Sequence, residues 1–151
     1  MEKIHGDLLQ LALDGEFDVI VHGCNCFHTM GAGIAKSIVE KFPEALEADK
    51  ATEYGAKDKL GTISCATIQR GDAQFVIVNA YTQHDWKGRG RKADYEAIRQ
   101  CFERVAVQFS SARIGYPLIG AGLARGDWSV IEPLIEKALS NNEHKLVLFS
   151  G

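Results

Sequence analysis

Hydrophobic positions along the chain alternate between short apolar runs and helical stripes. Phe17-Asp18-Val19-Ile20-Val21-His22-Gly23-Cys24-Asn25, β-branched in its middle, predicts a buried strand that leads into a glycine turn. After Met30-Gly31-Ala32-Gly33, the apolar residues Ile34, Ala35, Ile38, Val39 and Phe42 recur every three or four positions, one face of a helix that Pro43 ends or restarts. Residues 43–60, rich in Ala, Glu and Lys, predict a second and more exposed helix followed by a loop, with Tyr54-Gly55 as its stop. Thr62 to Gln69 and Phe75 to Ala80 predict two strands joined around Gly71-Asp72. A polar, glycine-punctuated loop runs from Tyr81 to Lys92, long enough to suggest function. Tyr95, Ile98, Cys101, Phe102, Val105 and Phe109 then form a helical stripe, followed by a strand at Ile114 to Ile119 and a second glycine turn, Gly120-Ala121-Gly122. Ser129 and Glu132 match a capping box ahead of Val130, Ile131, Leu134, Ile135, Ala138 and Leu139, and Lys145 to Phe149 is a closing strand.

Strands alternating with helices, and apolar on both faces, predict a three-layer α/β/α sandwich around a mixed, largely parallel central sheet. With 151 residues, 46% hydrophobic and 25% charged, the chain is expected to be a single domain spanning 1–151. In such sheets ligands bind beyond the carboxyl ends of the strands, which directs attention to the two glycine turns and the 81–92 loop.

Seventeen basic against twenty acidic residues give a net charge of −3, which argues against an extended nucleic-acid surface. Neither a signal-peptide core nor a membrane span is present in the pattern, so a soluble cytoplasmic protein is expected. Cys24, Cys26, Cys65 and Cys101 fit neither a redox C-x-x-C nor a zinc-ribbon spacing and read as buried reduced thiols; no metal and no cofactor is implied.

Met30-Gly31-Ala32-Gly33-Ile34-Ala35 and Ile119-Gly120-Ala121-Gly122-Leu123-Ala124 are near copies, each placed after a strand and before a helix. Glycines let a backbone approach an anion, and a following helix offers unpaired N–H groups with the positive end of its dipole. The pair predicts a diphosphate cradle, against the plainer reading of two tight connections. A dinucleotide fingerprint is excluded because Lys36 and Arg125 stand where a third glycine is required, and no mononucleotide P-loop occurs.

These two blocks, together with Gly6-Asp7-Leu8 after a first strand, Asn25 at the end of the next, and Asp127-Trp128 behind the second turn, resemble the macro domain family over nearly the whole chain. The branch most resembled holds terminal ADP-ribose protein glycohydrolase and the yeast-type ADP-ribose 1''-phosphate phosphatases. The resemblance implies an ADP-ribose pocket on a macro fold. Asp7 would meet the adenine amino group, Leu8 its edge and Phe149 its face; Asn25 would touch the distal ribose. Gly31, Ala32, Gly33 and Ile34 with Gly120, Ala121, Gly122 and Leu123 would give N–H groups to the diphosphate, flanked by Met30 and Ile119. The glycohydrolase branch's lysine and aspartate are replaced by Ala80 and Ala124. The remaining acid/base candidates are His28, before the first turn, and His84 with Asp85 in the 81–92 loop; the plainer reading is solvated loop residues. His22, inside a strand, reads as a satisfied core histidine. Lys87, Arg89, Arg91 and Lys92 form a basic cluster, either a solvated loop or a lid with Trp86.

The expected function is ADP-ribose binding with hydrolysis of a derivative, foremost the phosphomonoester of ADP-ribose 1''-phosphate. The alternatives are a non-catalytic ADP-ribose reader, or a hydrolase acting on ADP-ribosylated protein or nucleic acid, with such a protein as a further partner. Gly120→Val or Gly122→Glu is expected to abolish binding and leave the fold largely intact.

Overall fold

The computed structural model describes residues 1–88 and 90–150; Arg89 of the basic cluster lies outside the described residues. In chain order the elements are β1 (Glu2–Gly6), α1 (Leu8–Leu13), β2 (Val19–Cys24), α2 (Gly33–Lys41), α3 (Pro43–Lys50), β3 (Ile63–Arg70), β4 (Ala73–Tyr81), α4 (Tyr95–Gln108), β5 (Arg113–Tyr116), α5 (Trp128–Ala138) and β6 (Glu143–Phe149). The six strands form a sheet in the order β1-β6-β5-β2-β4-β3. All neighbours are parallel except β3 and β4, whose hairpin turns at Gly71-Asp72 between the paired Arg70 and Ala73.

Both faces of the sheet are covered, as the double-sided apolar strands require. Successive strand residues point to opposite faces, so Val19 and Val21 join a core with Ile98, Phe102 and Val105 of α4 and Ile131 and Ile135 of α5. Ile20 and Ile77 face the other way, into a core with Leu8, Leu9, Ile38 and Ala45 from α1, α2 and α3. The result is the expected α/β/α sandwich with a mixed, mostly parallel sheet. Among the described residues no helix is long and apolar enough to cross a membrane.

Four local expectations are corrected. The strand expected at Ile114 to Ile119 stops at Tyr116, because Pro117 has no N–H to continue the ladder. The capping box at Ser129 and Glu132 does not form: Asp127 is the cap of α5, its Oδ1 accepting from Ser129 N–H at 2.9 Å and Ser129 Oγ at 2.7 Å. Val130, expected on the apolar face of that helix, is exposed. Helix α1 was not anticipated at all; Leu-Leu-Gln-Leu-Ala-Leu is too short and too uniformly apolar to show a period, and Asp7 starts it by accepting from Leu9 N–H at 3.0 Å and Gln10 N–H at 3.3 Å. Of the two roles left open for Pro43, the structure takes the second: Pro43 begins α3, where its missing N–H costs least.

Candidate functional site

Five strands run parallel, so their carboxyl ends deliver five segments to one edge of the sheet: Asp7 after β1, residues 25–32 after β2, 82–94 after β4, 117–127 after β5 and Ser150 after β6. Gly6 pairs with Phe149 in the outer ladder. Asp7 therefore stands beside Phe149, which is 77% exposed rather than packed into the core. Asp7 Oδ1 is committed to the helix cap.

The two glycine turns face each other across this edge. A Cβ placed on Gly33, at φ +59°, would lie 3.7 Å from Leu123 Cδ1, while Cβ atoms on Gly31 and Gly122 would meet nothing within 4 Å. Helix α2 begins immediately after Ala32, which has no side chain to cap it, so its first N–H groups are offered outward. The second turn is more tightly built. Gly126 N–H donates to Gly120 O at 2.6 Å, and Lys92 and Ala93 N–H both donate to Ala124 O, at 2.8 and 3.1 Å. Gly120, at φ +74°, faces inward: its Cβ would press on Ile98 Cδ1 at 3.0 Å, Ile131 Cδ1 at 3.2 Å and Ala93 Cβ at 3.3 Å. The expectation that Gly120→Val spares the fold is therefore corrected; the open positions are Gly31 and Gly122.

Leu8, Met30 and Ile119 are buried, so their side chains belong to the core and their main chains to the rim. Ala32 lies between the open Gly31 and α2, Ile34 is already in the first turn of α2, and Ala121 lies between Gly120 and Gly122. Asn25 spends its amide on its own loop: Oδ1 accepts from Phe27 N–H at 2.8 Å and Nδ2 donates to Thr29 Oγ1 at 2.6 Å and Thr29 O at 3.2 Å.

The histidine candidates come together with three loops. His28, at φ +57°, places Nε2 2.9 Å from Thr52 O, and His84 places Nε2 3.0 Å from Gly55 O. His84 Nδ1 lies 3.5 Å from Asp85 Oδ2, and Asp85 Oδ1 is shared between Lys92 Nζ at 3.6 Å and Lys87 N–H at 3.0 Å. The Lys87 N–H, with the His84 ring and the Lys92 ammonium beside it, holds the Asp85 carboxyl below its usual range. Phe27 is wedged at the centre, edge-on to Tyr54, His84 and Trp86. The rest of the basic cluster is partly occupied, with Lys87 over the Trp86 ring and Arg91 over Tyr95.

Ala80 and Ala124 are both buried, so neither place offers an amine or a carboxylate. Beneath the first loop runs a polar row that the sequence did not reveal. His22, Asn79 and Ser64 are paired across β2, β4 and β3; His22 Nε2 meets Asn79 Oδ1 at 2.6 Å, Asn79 Nδ2 donates to Ser64 Oγ at 3.1 Å, Ser64 meets Tyr81 OH at 2.9 Å, and Tyr81 donates to Asp49 Oδ1 at 2.7 Å. His22 is thus a satisfied core histidine, and burial lowers its pKa. Cys24, Cys26 and Cys101 are buried free thiols, and burial pushes Cys101 up to about 12; Cys65 is only half-buried. A groove of about 520 Å³ between β3 and α4, lined by Ile63, Gln100, Arg104 and Val107, contains none of the candidate residues.

A layered α/β domain with two opposed glycine turns beyond the carboxyl ends of its strands, where ligands bind in such sheets, is the class these features define. The sequence profile of the macro domain family matches residues 21–135, and the chain belongs to that family. A curated relative from Enterobacteria phage T4, an uncharacterized 17.5 kDa protein in the tk-vs intergenic region, is 36% identical over 152 residues, covering 97% of this chain and 95% of its own. The macrodomain of Mycobacterium tuberculosis DarG superposes with a TM-score of 0.75 at 21% identity, covering 99% of this chain and 97% of that one. Thermosipho africanus DarTG, solved in complex with ADP-ribose, gives 0.67 at 17% identity over 91% of this chain and 39% of that one.

Proposed function

We propose that the protein binds ADP-ribose between its two glycine turns and hydrolyses a derivative of it at the distal ribose, ADP-ribose 1''-phosphate foremost. The observation that carries this reading is the opposed pair of turns, open at Gly31 and Gly122 and closed on each other at Gly33 and Leu123. Unclaimed N–H groups at the start of α2 suit a diphosphate, and the fold is shared with the ADP-ribose-bound Thermosipho protein. Phe149 offers a stacking face for adenine and Asp7 a second carboxylate oxygen for its amine. Water attacks the terminal phosphorus, giving its proton to an imidazole of His28 or of the His84–Asp85 pair, while the phosphorus–O1'' bond breaks and the ribose oxygen takes up a proton. Function then follows the phosphatases of the branch the sequence resembles rather than its glycohydrolases.

The buried methyl groups at Ala80 and Ala124 favour a second reading, a module that reads free or protein-linked ADP-ribose without turnover. Calorimetry with ADP-ribose tests the cleft, and phosphate release from ADP-ribose 1''-phosphate tests the chemistry, with ADP-ribosylated protein and DNA as parallel substrates. Heat of binding with turnover of none leaves the reader; no heat at all removes both readings.

A further inference from the structure

We infer that the segment Thr52-Glu53-Tyr54-Gly55, which follows α3, is the positioning element of the site: it holds the imidazoles of His28 and His84 in one tautomer, with the proton on Nε2. The inference deepens the hydrolytic reading above and rests on it for the role of these rings, although the tautomer itself is independent of turnover.

The two histidines arrive from different strands, β2 and β4, yet each directs Nε2 at a main-chain carbonyl of the same four residues. A carbonyl only accepts, so each ring carries a hydrogen on Nε2; the neutral His28 ring then has its lone pair on Nδ1, while His84 Nδ1 faces the Asp85 carboxylate at 3.5 Å, which also only accepts. Thr52 Oγ1, 3.2 Å from His28 Nε2, already donates to Asp49 O at 2.6 Å, so it too is an acceptor toward the ring. Consequently Nδ1 is the atom left to exchange a proton. Among the described residues the Nδ1 of His28 has no hydrogen-bond partner, whereas that of His84 lies toward the Asp85 carboxylate, which makes His28 the freer base.

The segment is itself pinned. Thr52 N–H donates to Asp49 O at 3.0 Å, Gly55 N–H donates to Cys26 O at 2.7 Å, and Cys26 N–H donates to His84 O at 2.9 Å, closing a circuit through all three loops. Tyr54 packs edge-on against both Phe27 and His28, at 5.4 Å each. Position 55 must be glycine on two counts: its φ is +70°, and a Cβ would stand 3.0 Å from the Phe27 ring. His28 holds a left-handed backbone at a cost of about 1 kcal/mol or more, as expected where surroundings dictate the conformation of a working residue.

Long-range ¹H–¹⁵N correlation spectra of the full chain labelled at histidine read each tautomer directly. Both rings are expected to show the Nε2–H pattern in the unmodified protein. Thr52→Val removes the bond to Asp49 O and should convert His28 to a tautomer mixture while sparing His84, with Thr52→Ser restoring it; Gly55→Ala should do the same to His84. Where ADP-ribose 1''-phosphate is turned over, Thr52→Val should lower kcat by roughly tenfold or more and leave ADP-ribose affinity unchanged. A protein that hydrolyses nothing but keeps both Nε2–H signatures overturns the hydrolytic reading alone. Nδ1–H or mixed tautomers in the unmodified chain, or tautomers indifferent to both substitutions, overturn the positioning role.

Discussion

Gly120 and Gly122 sit two residues apart in one turn, and substituting them should have opposite consequences. Gly120→Ala must hold a side chain at φ +74°, which costs about 1–2 kcal/mol, with a methyl group 3.0–3.3 Å from Ile98, Ile131 and Ala93. Overpacking of that kind adds about 1–3 kcal/mol. A combined loss of about 2–5 kcal/mol corresponds to a fall in Tm of roughly 4–20 °C for a chain of this size. Gly122 has no positive φ and no neighbour within 4 Å of an added Cβ, so Gly122→Ala should change stability by less than about 0.5 kcal/mol. Gly122→Glu places a carboxylate in the proposed cleft. At about 4 Å from a phosphate charge the repulsion lies between about 1 and 4 kcal/mol, weakening ADP-ribose roughly five- to several-hundred-fold. Thermal unfolding and calorimetric titration of the same three proteins check both limbs. A Gly120→Ala protein as stable as the parent would refute the packing argument; a Gly122→Glu protein that binds with unchanged affinity would refute the cleft.

Other predictions follow the same reasoning. Asp7→Ala should cost about 1 kcal/mol in denaturant unfolding, because Leu9 and Gln10 N–H lose their acceptor, and Asp7→Asn should recover most of it; equal losses for both would deny the cap. Phe149→Ala should leave Tm unchanged yet weaken ADP-ribose by about 1–3 kcal/mol if adenine stacks there, as competition titration would reveal. Stability should decline as pH drops below 6.5: burial keeps His22 neutral in the folded chain, so the unfolded chain binds the extra proton. Glu44, drawn down to about 2 by Arg70, adds a further loss between about 4.5 and 2, small because the pair is part exposed. Unfolding midpoints that stay flat between pH 7 and 5 would contradict the His22 assignment.

What was legible in the chain was whatever a local period can carry. Strands β2 and β4 announced themselves because burial on both faces leaves no polar alternation, and α2 and α4 because their stripes run for two turns or more. Asp127 displaced Ser129 as the cap of α5 for a reason no spacing rule contains: its N–H is held at 3.0 Å by the hydroxyl of Tyr95, from the start of α4. The polar row from His22 to Asp49 was invisible for the same cause. Its links join residues 57 and 32 positions apart, and only the strand order brings them into one layer.

The two glycine turns carry this furthest, being near copies in sequence and unlike in packing. What separates them is their neighbours. The first turn emerges from the middle of the sheet with nothing above Gly31, so its glycine keeps an opening clear. The second lies against α4 and α5, whose Ile98 and Ile131 occupy the space a side chain at Gly120 would need, so that glycine is demanded by the core and only Gly122 looks outward. A motif read from letters assigns both turns one role; the sheet order, which sets β5 and β4 on either side of β2, divides the work between a wall that is rigid because it is packed and a helix start that is open because it is not. In the cleft proposed above, an unpacked donor array opposed to a packed one would stay formed before any ligand arrives, which is why the contribution of each glycine must be measured separately.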